Sequence, residues 1–314
     1  MWRGEGRPVI GRYLIRRLFH SAIVLFGLVV AVFFFTHMLG DPARLMLRPE
    51  ATQEQVEAVR GRLGLDDPLH VQFTRFLSGI ARGDFGESIW QRAPATSIML
   101  ERLPNTLYLA GVTLLVAVPL ALLLGIASAL RPGSPIDRAS TVVALAGVSV
   151  ADFWLGLMLI LFFAVNLGWL PTSGFGGPEF VILPAIALMV RPLGRISQVV
   201  RSSMLDQLGQ PYVTTARAKG LTERVVISLH TMKNAAIPAL TLIGDETAAL
   251  LNGAVVIETV FGWPGIGLLL IQAIERRDLP LIEACVFAIA VMIMAGNLLI
   301  DLAYTLFDPR IRYT

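Results

Sequence analysis

Six long apolar stretches follow one another along the chain, and polar connections separate them. The stretches cover approximately residues 18–39, 106–130, 141–167, 180–200, 236–260 and 281–307. At about 1.5 Å of rise per residue, a helix over the first stretch measures about 33 Å, which exceeds the roughly 30 Å thickness of a membrane's hydrocarbon core. The pattern therefore predicts an all-α membrane protein with about six transmembrane helices.

The composition agrees with this class. Hydrophobic residues make up 55% of the 314 residues, charged residues make up 16%, and the mean hydropathy is +0.67. A soluble protein of this length carries more charge. The single cysteine, Cys285, lies in an apolar stretch, so a disulfide within the chain is impossible and a small buried residue is expected.

Basic residues are distributed unevenly around the spans. Arginines precede the first span, and basic residues occupy the connections after the second and fourth spans and the C-terminal segment. In residues 40–105, by contrast, eight arginines are offset by nine acidic residues. The positive-inside rule therefore predicts cytosolic N- and C-termini. The net charge of +3 reflects membrane topology and gives no reason to expect a nucleic-acid partner.

The spans divide the chain into three predicted regions. Residues 1–39 form a cytosolic N-terminus and the first transmembrane helix. Residues 40–105 form an extracytoplasmic segment, which is too small for an independent enzyme domain. Residues 106–314 form the core transmembrane domain, which contains a cytosolic loop over residues 205–233.

The outer segment carries folding signals of its own. Thr52 precedes Gln53, Glu54 and Gln55 and a series of apolar residues at helical spacing, which predicts a capped helix that stops at Gly64. Aromatic residues farther along are expected to pack against the membrane domain or a partner. They are Phe73, Phe76, Phe85 and Trp90.

Several kinds of intrinsic chemistry are absent from the sequence. Lys219 and Lys233 are the only lysines, and neither follows the Gly-x4-Gly-Lys-Ser/Thr pattern of a phosphate-binding loop. The four histidines form no His-Glu-x-x-His metal motif. The run Gly147–Ala151 is close to a nucleophile elbow but lacks the closing glycine, and its small residues are better explained by helix packing. We therefore expect neither an enzyme, nor a metal site, nor a cofactor in this chain.

The cytosolic loop has the features of a docking element. Pro211 is suited to open a helix, and Gly220 is suited to the left-handed conformation that ends one. Thr222 is predicted to cap a second helix, with Glu223 in its first turn. The loop is thus predicted to contain two short helices joined by an elbow; the alternative is a solvated connection.

The first of these short helices has a distinctive predicted face. Tyr212, Thr215, Ala216 and Lys219 are expected to lie together on it. Small residues beside an aromatic ring would make a compact knob that enters a groove on a partner.

Two acidic residues lie about two turns into the fifth predicted span. Placing Asp245 and Glu246 near the middle of a bilayer costs about 2.5–3.5 kcal/mol each, so they must face protein, water or a partner. Adjacent helical residues point about 100° apart, and Asp245 shares its face with Asn252 and Thr259. We hypothesise that this stripe lines a solute path and favours a cationic group; the alternative is a structural, hydrogen-bonded acid.

Two further acids belong to the same group of candidates. Asp152 lies deep within the third predicted span, before Trp154. Glu258 lies near the end of the fifth span, where interfacial water is expected to solvate it. Each is either a structural residue or part of a solute pathway.

The chain resembles a known family over nearly its whole length, the permeases of dipeptide, oligopeptide, glutathione and nickel ABC importers. The runs that carry the resemblance are His37–Arg44, Leu63–Asp66, Gly83–Gly86, Leu103–Leu107, Thr215–Leu221, Asn234–Pro238, Gly253–Gly267 and Asp308–Tyr313. The run Gly253–Gly267 and the C-terminal run are the most specific.

The resemblance implies a type I ABC importer permease in a prokaryotic plasma (inner) membrane. Such a subunit pairs with a second homologous permease, two ATPase subunits that bind ATP and magnesium, and an extracytoplasmic solute-binding protein. The loop over 205–233 corresponds to the region that carries the coupling helix, and Ala216 and Gly220 match the Glu-Ala-Ala-x3-Gly signature. Thr214 and Thr215 replace its first two residues. The implied coupling residues are Tyr212, Thr215, Ala216, Arg217, Ala218, Lys219 and Gly220.

The resemblance also implies the solute class, with one departure. Peptides or peptide-like solutes are the expected cargo. The pair Asp245-Glu246 stands where the peptide branch usually has an apolar residue followed by Gln. An ion-coupled secondary transporter or channel that uses Asp245 or Glu246 is the alternative function, and it would need no ATPase. A membrane-anchored scaffold is a third class.

Overall fold

The computed structural model describes residues 7–38, 44, 52–63 and 66–307. Two sequence signals, the stop at Gly64 and the run 308–313, lie outside these residues. The helices are α1 (Arg7–Met38), α2 (Gln53–Leu63), α3 (Leu69–Arg82), α4 (Ala95–Leu130), α5 (Pro135–Ser149), α6 (Asp152–Leu159), α7 (Glu179–Leu208), α8 (Pro211–Ala218), α9 (Met232–Val260), α10 (Ile266–Arg276) and α11 (Leu279–Phe307).

Two segments with wider, π-helical turns extend these helices. Ile160–Asn166 continues α6, and Val226–Thr231 leads into α9 after a single α-helical turn, Glu223–Val225. Within the described residues, pairing between extended segments is limited to one isolated bridge, Glu87 with Pro94. The prediction of an all-α protein is therefore confirmed for the described part of the chain.

In the part of the chain that the structure describes, five stretches of helix are long and apolar enough to cross a membrane. They are Arg16–Phe34, Ala95–Leu130, Glu179–Leu208, Met232–Val260 and Leu279–Ile300. The count rises to six if the bent pair α5 and α6, with its π-helical extension, forms one span. The second and fourth spans are longer in the structure than the sequence predicted. Both helices continue into polar residues at one end, and an apolar stretch does not reveal such polar extensions.

The third predicted span, residues 141–167, is not a straight helix. α5 and the α6 segment are bent by 111° at a break after Ser149. Val150 and Ala151 have extended backbone conformations, and Asp152 opens the next helix. An acidic residue is stabilised in the first turn of a helix by the helix dipole, so Asp152 favours a new start over continuation.

The chain forms two compact units. The first comprises Met1–Thr106 and Pro264–Met294, and the second comprises Leu107–Trp263 and Ala295–Thr314.

Within the first unit, the predicted cap of α2 is confirmed. The Gln55 amide donates to Thr52 Oγ1 at 3.4 Å, and the Thr52 amide donates to Gln55 Oε1 at 3.1 Å. This reciprocal pair satisfies two amides that would otherwise lack a partner at the helix start.

Aromatic packing holds the outer segment to apolar helices of the same unit, as the sequence predicts. The Phe33 ring of α1 lies 5.2 Å from that of Phe73 and 5.6 Å from that of Phe76, both on α3. Phe85 lies 5.3 Å from Phe287 on α11. Aromatic pairs at such distances stabilise contacts beyond the area they bury.

A buried carboxylate fixes the loop that follows α3. Asp278 accepts a hydrogen bond from the Ser88 hydroxyl at 2.5 Å and from the Trp90 amide at 3.1 Å. The Arg276 guanidinium lies 5.0 Å from the centre of the Trp90 ring, within range of a cation–π interaction.

Two of the runs that carry the family resemblance meet at the start of α10. The Ile266 amide donates to Thr106 Oγ1 at 2.8 Å, and the Asn105 side chain donates to the Pro264 carbonyl at 2.8 Å. An amide of the first turn of α10, which lacks a partner within the helix, is thereby satisfied by a side chain from the other run.

In the second unit, α5 and α7 approach each other at glycines. A Cβ on Gly147 would lie 2.7 Å from the Val190 carbonyl oxygen, and a Cβ on Gly194 would lie 2.5 Å from Ala144 Cα. Either distance is a clash, so the close approach requires glycine at both positions. The packing role predicted for the run around Gly147 is confirmed.

An ion pair fixes the beginning of α5 against α7. Arg201 donates to both oxygens of Asp137, through Nε at 2.5 Å and Nη2 at 3.0 Å. Asp137 Oδ2 also accepts from the Gly133 amide at 2.8 Å. Bidentate pairs of this kind are among the stronger hydrogen bonds in proteins.

Candidate functional site

The short helix α8 begins and ends at the residues that the sequence predicts. Pro211 occupies its first position, where the missing amide costs nothing. Gly220 has φ +78°, which is the left-handed conformation. The Gly220 amide donates to the Arg217 carbonyl at 2.9 Å and the Leu221 amide donates to the Ala216 carbonyl at 3.4 Å, which is a complete Schellman ending.

The second short helix differs from the prediction. Thr222 stands at the N-cap position, but its side chain makes no capping hydrogen bond, and its carbonyl instead accepts from the Val225 and Val226 amides. The helical turn that follows passes directly into the π-helical lead of α9. The elbow therefore joins α8 to a long helix.

The predicted exposed face of α8 is wrong for Ala216. Val213 and Ala216 are buried together with Val226, and Tyr212 packs against them half-buried. Val213 and Tyr212 precede Ala216 by three and four residues, and residues at these spacings fall on one side of a helix. Here that apolar side turns inward. The side chains left exposed are Thr214, Thr215, Arg217, Ala218 and Lys219.

The hydroxyl group of Tyr212 connects α8 to two long helices. It donates to Gln207 Oε1 at 2.8 Å, at the end of α7. It accepts from Asn234 Nδ2 at 3.2 Å, at the start of α9. One side chain thus joins α8 to both of the long apolar helices that flank it in sequence.

An exposed ion pair closes the elbow on the other side. Arg217 donates to both oxygens of Glu223, at 2.7 Å and 3.3 Å. Both side chains are exposed, so the pair stabilises the elbow by about 1 kcal/mol or less.

A polar stripe runs along one face of α9. The exposed residues between positions 241 and 260 are Thr241, Asp245, Asn252, Val256 and Thr259. At about 100° per residue they fall within an arc of about 60°, over a length of about 27 Å. The prediction that Asp245, Asn252 and Thr259 share a face is borne out, and this face is uncovered within the chain.

Glu246 points the other way, into the protein. Its side chain is 1% exposed and accepts a hydrogen bond from Arg195 Nη1, while Arg191 Nε lies 3.9 Å from its other oxygen. Because α9 starts at Met232, Glu246 is the middle residue of the helix and lies deeper than the sequence pattern predicted. Sequence reasoning missed both arginines, although two arginines four residues apart within an apolar span were a usable signal.

Asp152 lies beside α9, on the face of that helix that also carries Glu246. Its Oδ2 atom is 3.5 Å from the position of a Cβ on Gly253, seven residues after Glu246 and on the same face of α9. Arg191 interacts electrostatically with Asp152. The structure thus gathers Asp152, Arg191, Arg195 and Glu246 into one intramembrane charge cluster.

Glu258 is not where the sequence placed it. Its side chain is completely buried, so the expectation of interfacial water is wrong. An aromatic group closes this end of α9, where the Trp263 ring lies 6.1 Å from that of Tyr108 and 5.0 Å from that of Phe175. Glu258 lies twelve residues, about 18 Å, along the helix from Glu246 and is therefore separate from the charge cluster.

The acidic residues do not form an evident metal centre. Among the described residues, no three His, Cys, Asp or Glu side chains are grouped so as to hold an ion. The features that the described residues present are a short helix joined to two spans, a polar stripe on α9, and a charge cluster midway along α7 and α9.

Family comparison covers almost the whole chain. Residues 121–313 match the binding-protein-dependent transport system inner membrane component, and residues 10–110 match the N-terminal component of the same kind of protein. The chain is 40% identical over 302 residues to the glutathione transport system permease protein GsiC of Escherichia coli (strain K12). It is 38% identical over 313 residues to the oligopeptide transport system permease protein AppB of Bacillus subtilis (strain 168). Each alignment covers 96% of this chain and 99% of the relative.

A solved structure supports the fold. The chain matches a crystal structure of an amino acid ABC transporter with histidines at a TM-score of 0.51 and 19% identity, over 69% of this chain and 95% of that one. Together with the family match, this similarity confirms the predicted type I importer permease fold. The family consists of transport components and not of enzymes, and the ion-coupled alternative is not favoured. The chain belongs to the family of multi-pass inner-membrane components of binding-protein-dependent transport systems.

Proposed function

We propose that this chain is the permease subunit of an ATP-driven importer for peptides or peptide-like solutes, and that it forms half of the translocation pathway. The similarity to glutathione and oligopeptide permeases over 96% of the chain supports the solute class. A second homologous permease would form the other half, and two ATPase subunits would bind the ATP and magnesium. The N- and C-termini and the loop over 205–233 would lie in the cytosol. Residues 40–105 would receive the solute-binding protein.

The observation that carries this proposal is the double attachment of α8 through Tyr212. A force applied to the exposed face of α8 reaches α7 through Gln207 and α9 through Asn234. The Arg195–Glu246 pair joins the same two helices a second time. Twelve residues separate each attachment from the next on both helices, which is about 18 Å. The two helices are therefore linked at two levels with the same spacing on each, which favours movement of α7 and α9 as one body.

Purification of the tagged chain from its native membrane tests this assignment. An importer permease is expected to bring down a second permease and two ATPase subunits, and vesicles with this complex should accumulate peptide only with ATP and binding protein. Uptake by the chain alone, driven by an ion gradient, would support the ion-coupled transporter instead.

Tyr212→Phe is expected to weaken the transmission of force. The ring still packs on Val213 and Ala216, but both hydrogen bonds of the hydroxyl are lost, each worth about 0.5–1.5 kcal/mol. Peptide uptake per ATP hydrolysed should fall severalfold in reconstituted vesicles. Tyr108→Phe makes the same chemical change where the ring stacks on Trp263, and it should leave this ratio unchanged. Equal ratios for the two variants would show that the hydroxyl transmits no force.

Asp245→Asn tests the proposed path along the polar stripe. Asp245 is exposed on α9, and we propose that its charge favours cationic groups of the solute. The variant should take up lysine-containing peptides severalfold more slowly than the wild type, while uptake of neutral peptides is maintained. Asp206→Asn, at the exposed cytosolic end of α7, provides the matched control. An unchanged preference among all peptides would exclude Asp245 from the path.

A further inference from the structure

The middle of α7 is covered everywhere except at two arginines. Between residues 183 and 200, all of which the structure describes, only Arg191 and Arg195 are exposed. Their side chains are 44% and 42% exposed and lie one turn apart on one face. Among the described residues, the part of this stretch that is most open is therefore cationic.

Both arginines are too deep in the helix to reach the membrane surface easily. They are the 13th and 17th of the 30 residues of α7, and Glu246, the carboxylate that they share, is the 15th of the 29 residues of α9. Charged side chains at such depth avoid lipid and face a water-filled cavity or a polar partner. The exposed polar stripe of α9 passes one residue from Glu246, at Asp245, and supplies such a polar surface.

Glu246 attracts both guanidinium groups but cannot accept hydrogen bonds from all of their N–H donors. It is buried, accepts from Arg195, and has Arg191 Nε at 3.9 Å. Two guanidinium groups carry more N–H donors than this carboxylate can accept. Asp152 also interacts electrostatically with Arg191, but the donors of the two groups outnumber the hydrogen bonds that both carboxylates can accept. A planar guanidinium matches a further carboxylate in a bidentate geometry.

We propose that Arg191 and Arg195 form a carboxylate-binding subsite on the translocation surface, held in place by Glu246. The subsite takes a carboxylate of a peptide-like solute while Asp245 on the neighbouring face favours its cationic group. This inference rests on the proposed function and assigns to the pathway two residues that discriminate between solutes by charge.

Thiol labelling tests whether this face is open and attracts anions. In a Cys285→Ala background, Gln198→Cys places a thiol seven residues from Arg191, on the same face of α7, and leaves both arginines in place. In the assembled complex, the anionic reagent 2-sulfonatoethyl methanethiosulfonate should react with this thiol faster than its trimethylammonium counterpart. Arg191→Gln should lower the ratio of the two rates by about fivefold.

Two control positions calibrate the labelling. Ile196→Cys is buried and Leu145→Cys is 63% exposed on an apolar face, so both should react slowly with water-soluble reagents. If the Gln198→Cys thiol is as unreactive as these controls with and without ATP, lipid or a partner subunit covers the face, and the subsite is overturned. The subsite is also overturned if Arg191→Gln leaves the ratio of the anionic to the cationic labelling rate unchanged.

Uptake of a matched pair of peptides tests recognition of the carboxylate itself. Reconstituted complexes are given trialanine or its C-terminal amide, each with saturating binding protein. Variant and wild type receive peptide from the same binding protein. Any preference of that protein for one of the two peptides therefore affects both equally and cancels in the comparison. Arg191→Gln should lower the acid-to-amide uptake ratio about tenfold, because a charge-assisted hydrogen bond is lost. Arg195→Lys, which keeps the charge beside Glu246 but not the planar fork, should lower it less, and Arg138→Gln should not change it.

The outcomes separate this inference from the proposed function. ATP-driven uptake of both peptides with an acid-to-amide ratio that is the same in all variants overturns the subsite and leaves the proposed function intact. If the wild-type complex accumulates neither peptide, the proposed solute class fails. The dependence of the labelling ratio on Arg191 then decides whether the arginines attract anions.

Discussion

Gly220→Val is expected to abolish peptide uptake while the assembled ATPase subunits continue to hydrolyse ATP. Gly220 has φ +78°, which strains a β-branched residue by about 1–3 kcal/mol. A Cβ there meets nothing within 4 Å, so the penalty comes from the backbone alone. The backbone relieves it by leaving the left-handed conformation, which breaks the hydrogen bonds to Arg217 and Ala216 and reorients α8. Uptake and ATP hydrolysis measured in the same vesicles should diverge by at least about tenfold.

The same loop contains a matched control for this substitution. Gly209 has φ −79°, and its Cβ would lie 3.8 Å from the Asp206 carbonyl oxygen, an ordinary contact distance. Gly209→Val should therefore remain coupled. Gly220→Asn should retain partial coupling, since asparagine tolerates the left-handed conformation better than valine does. Full ATP-driven uptake by Gly220→Val would show that the elbow does not transmit the force.

Arg195→Leu is expected to destabilise the transmembrane helices more than any other single arginine replacement considered above. It leaves the buried carboxylate of Glu246 with Arg191 alone, 3.9 Å away. Breaking a fully buried ion pair by removing one partner costs about 3–5 kcal/mol. Arg195 is 42% exposed, so water screens this pair and the loss should be smaller than that, although larger than for an exposed pair. The thermal unfolding temperature of the purified complex in detergent should fall accordingly.

A second substitution should rescue this variant. Arg195→Leu combined with Glu246→Leu removes both charges and should recover most of the lost stability, because apolar side chains can replace a buried pair at little cost. Arg217→Leu breaks the exposed pair with Glu223 and should cost about 1 kcal/mol or less. If the double variant is no more stable than Arg195→Leu, Glu246 is not the reason for the loss.

These two predictions concern the opposite ends of one mechanical unit. The elbow at Gly220 sets the direction of α8, and the Tyr212 hydroxyl links α8 to α7 and α9, the route along which we propose that movement passes. The Arg195–Glu246 pair holds those helices together about 18 Å deeper. Disruption of the elbow should therefore leave an intact complex in which ATP hydrolysis no longer drives uptake. Loss of the ion pair should instead lower the stability of the complex.

Local signals in the sequence were sufficient where neighbouring residues alone fix the conformation. The start of α8 at Pro211, the left-handed Gly220 and the cap at Thr52 each depend on a few consecutive residues, and each was predicted. The polar stripe of α9 was also predictable, because a straight helix converts residue spacing into direction.

Other features depended on residues that are far apart in sequence. Ala216 is buried because Val226 packs against α8 after the turn, and no local pattern indicated this partner. The break between α5 and α6 occurs within a stretch whose average hydropathy is apolar and gives no sign of a bend, although Asp152 lies just after it.

The sequence by itself determined the class of the protein, its apolar spans, its family and the position of the elbow at Gly220, because periodicity and turn residues act over short distances. Only the tertiary structure decided that Glu246 is buried against Arg195 while Asp245, the adjacent residue, stays exposed. Helix geometry turns the two carboxylates about 100° apart, but the packing of α7 against α9 selects which one is covered. That selection depends on contacts between residues about fifty positions apart, which spacing along one helix does not encode.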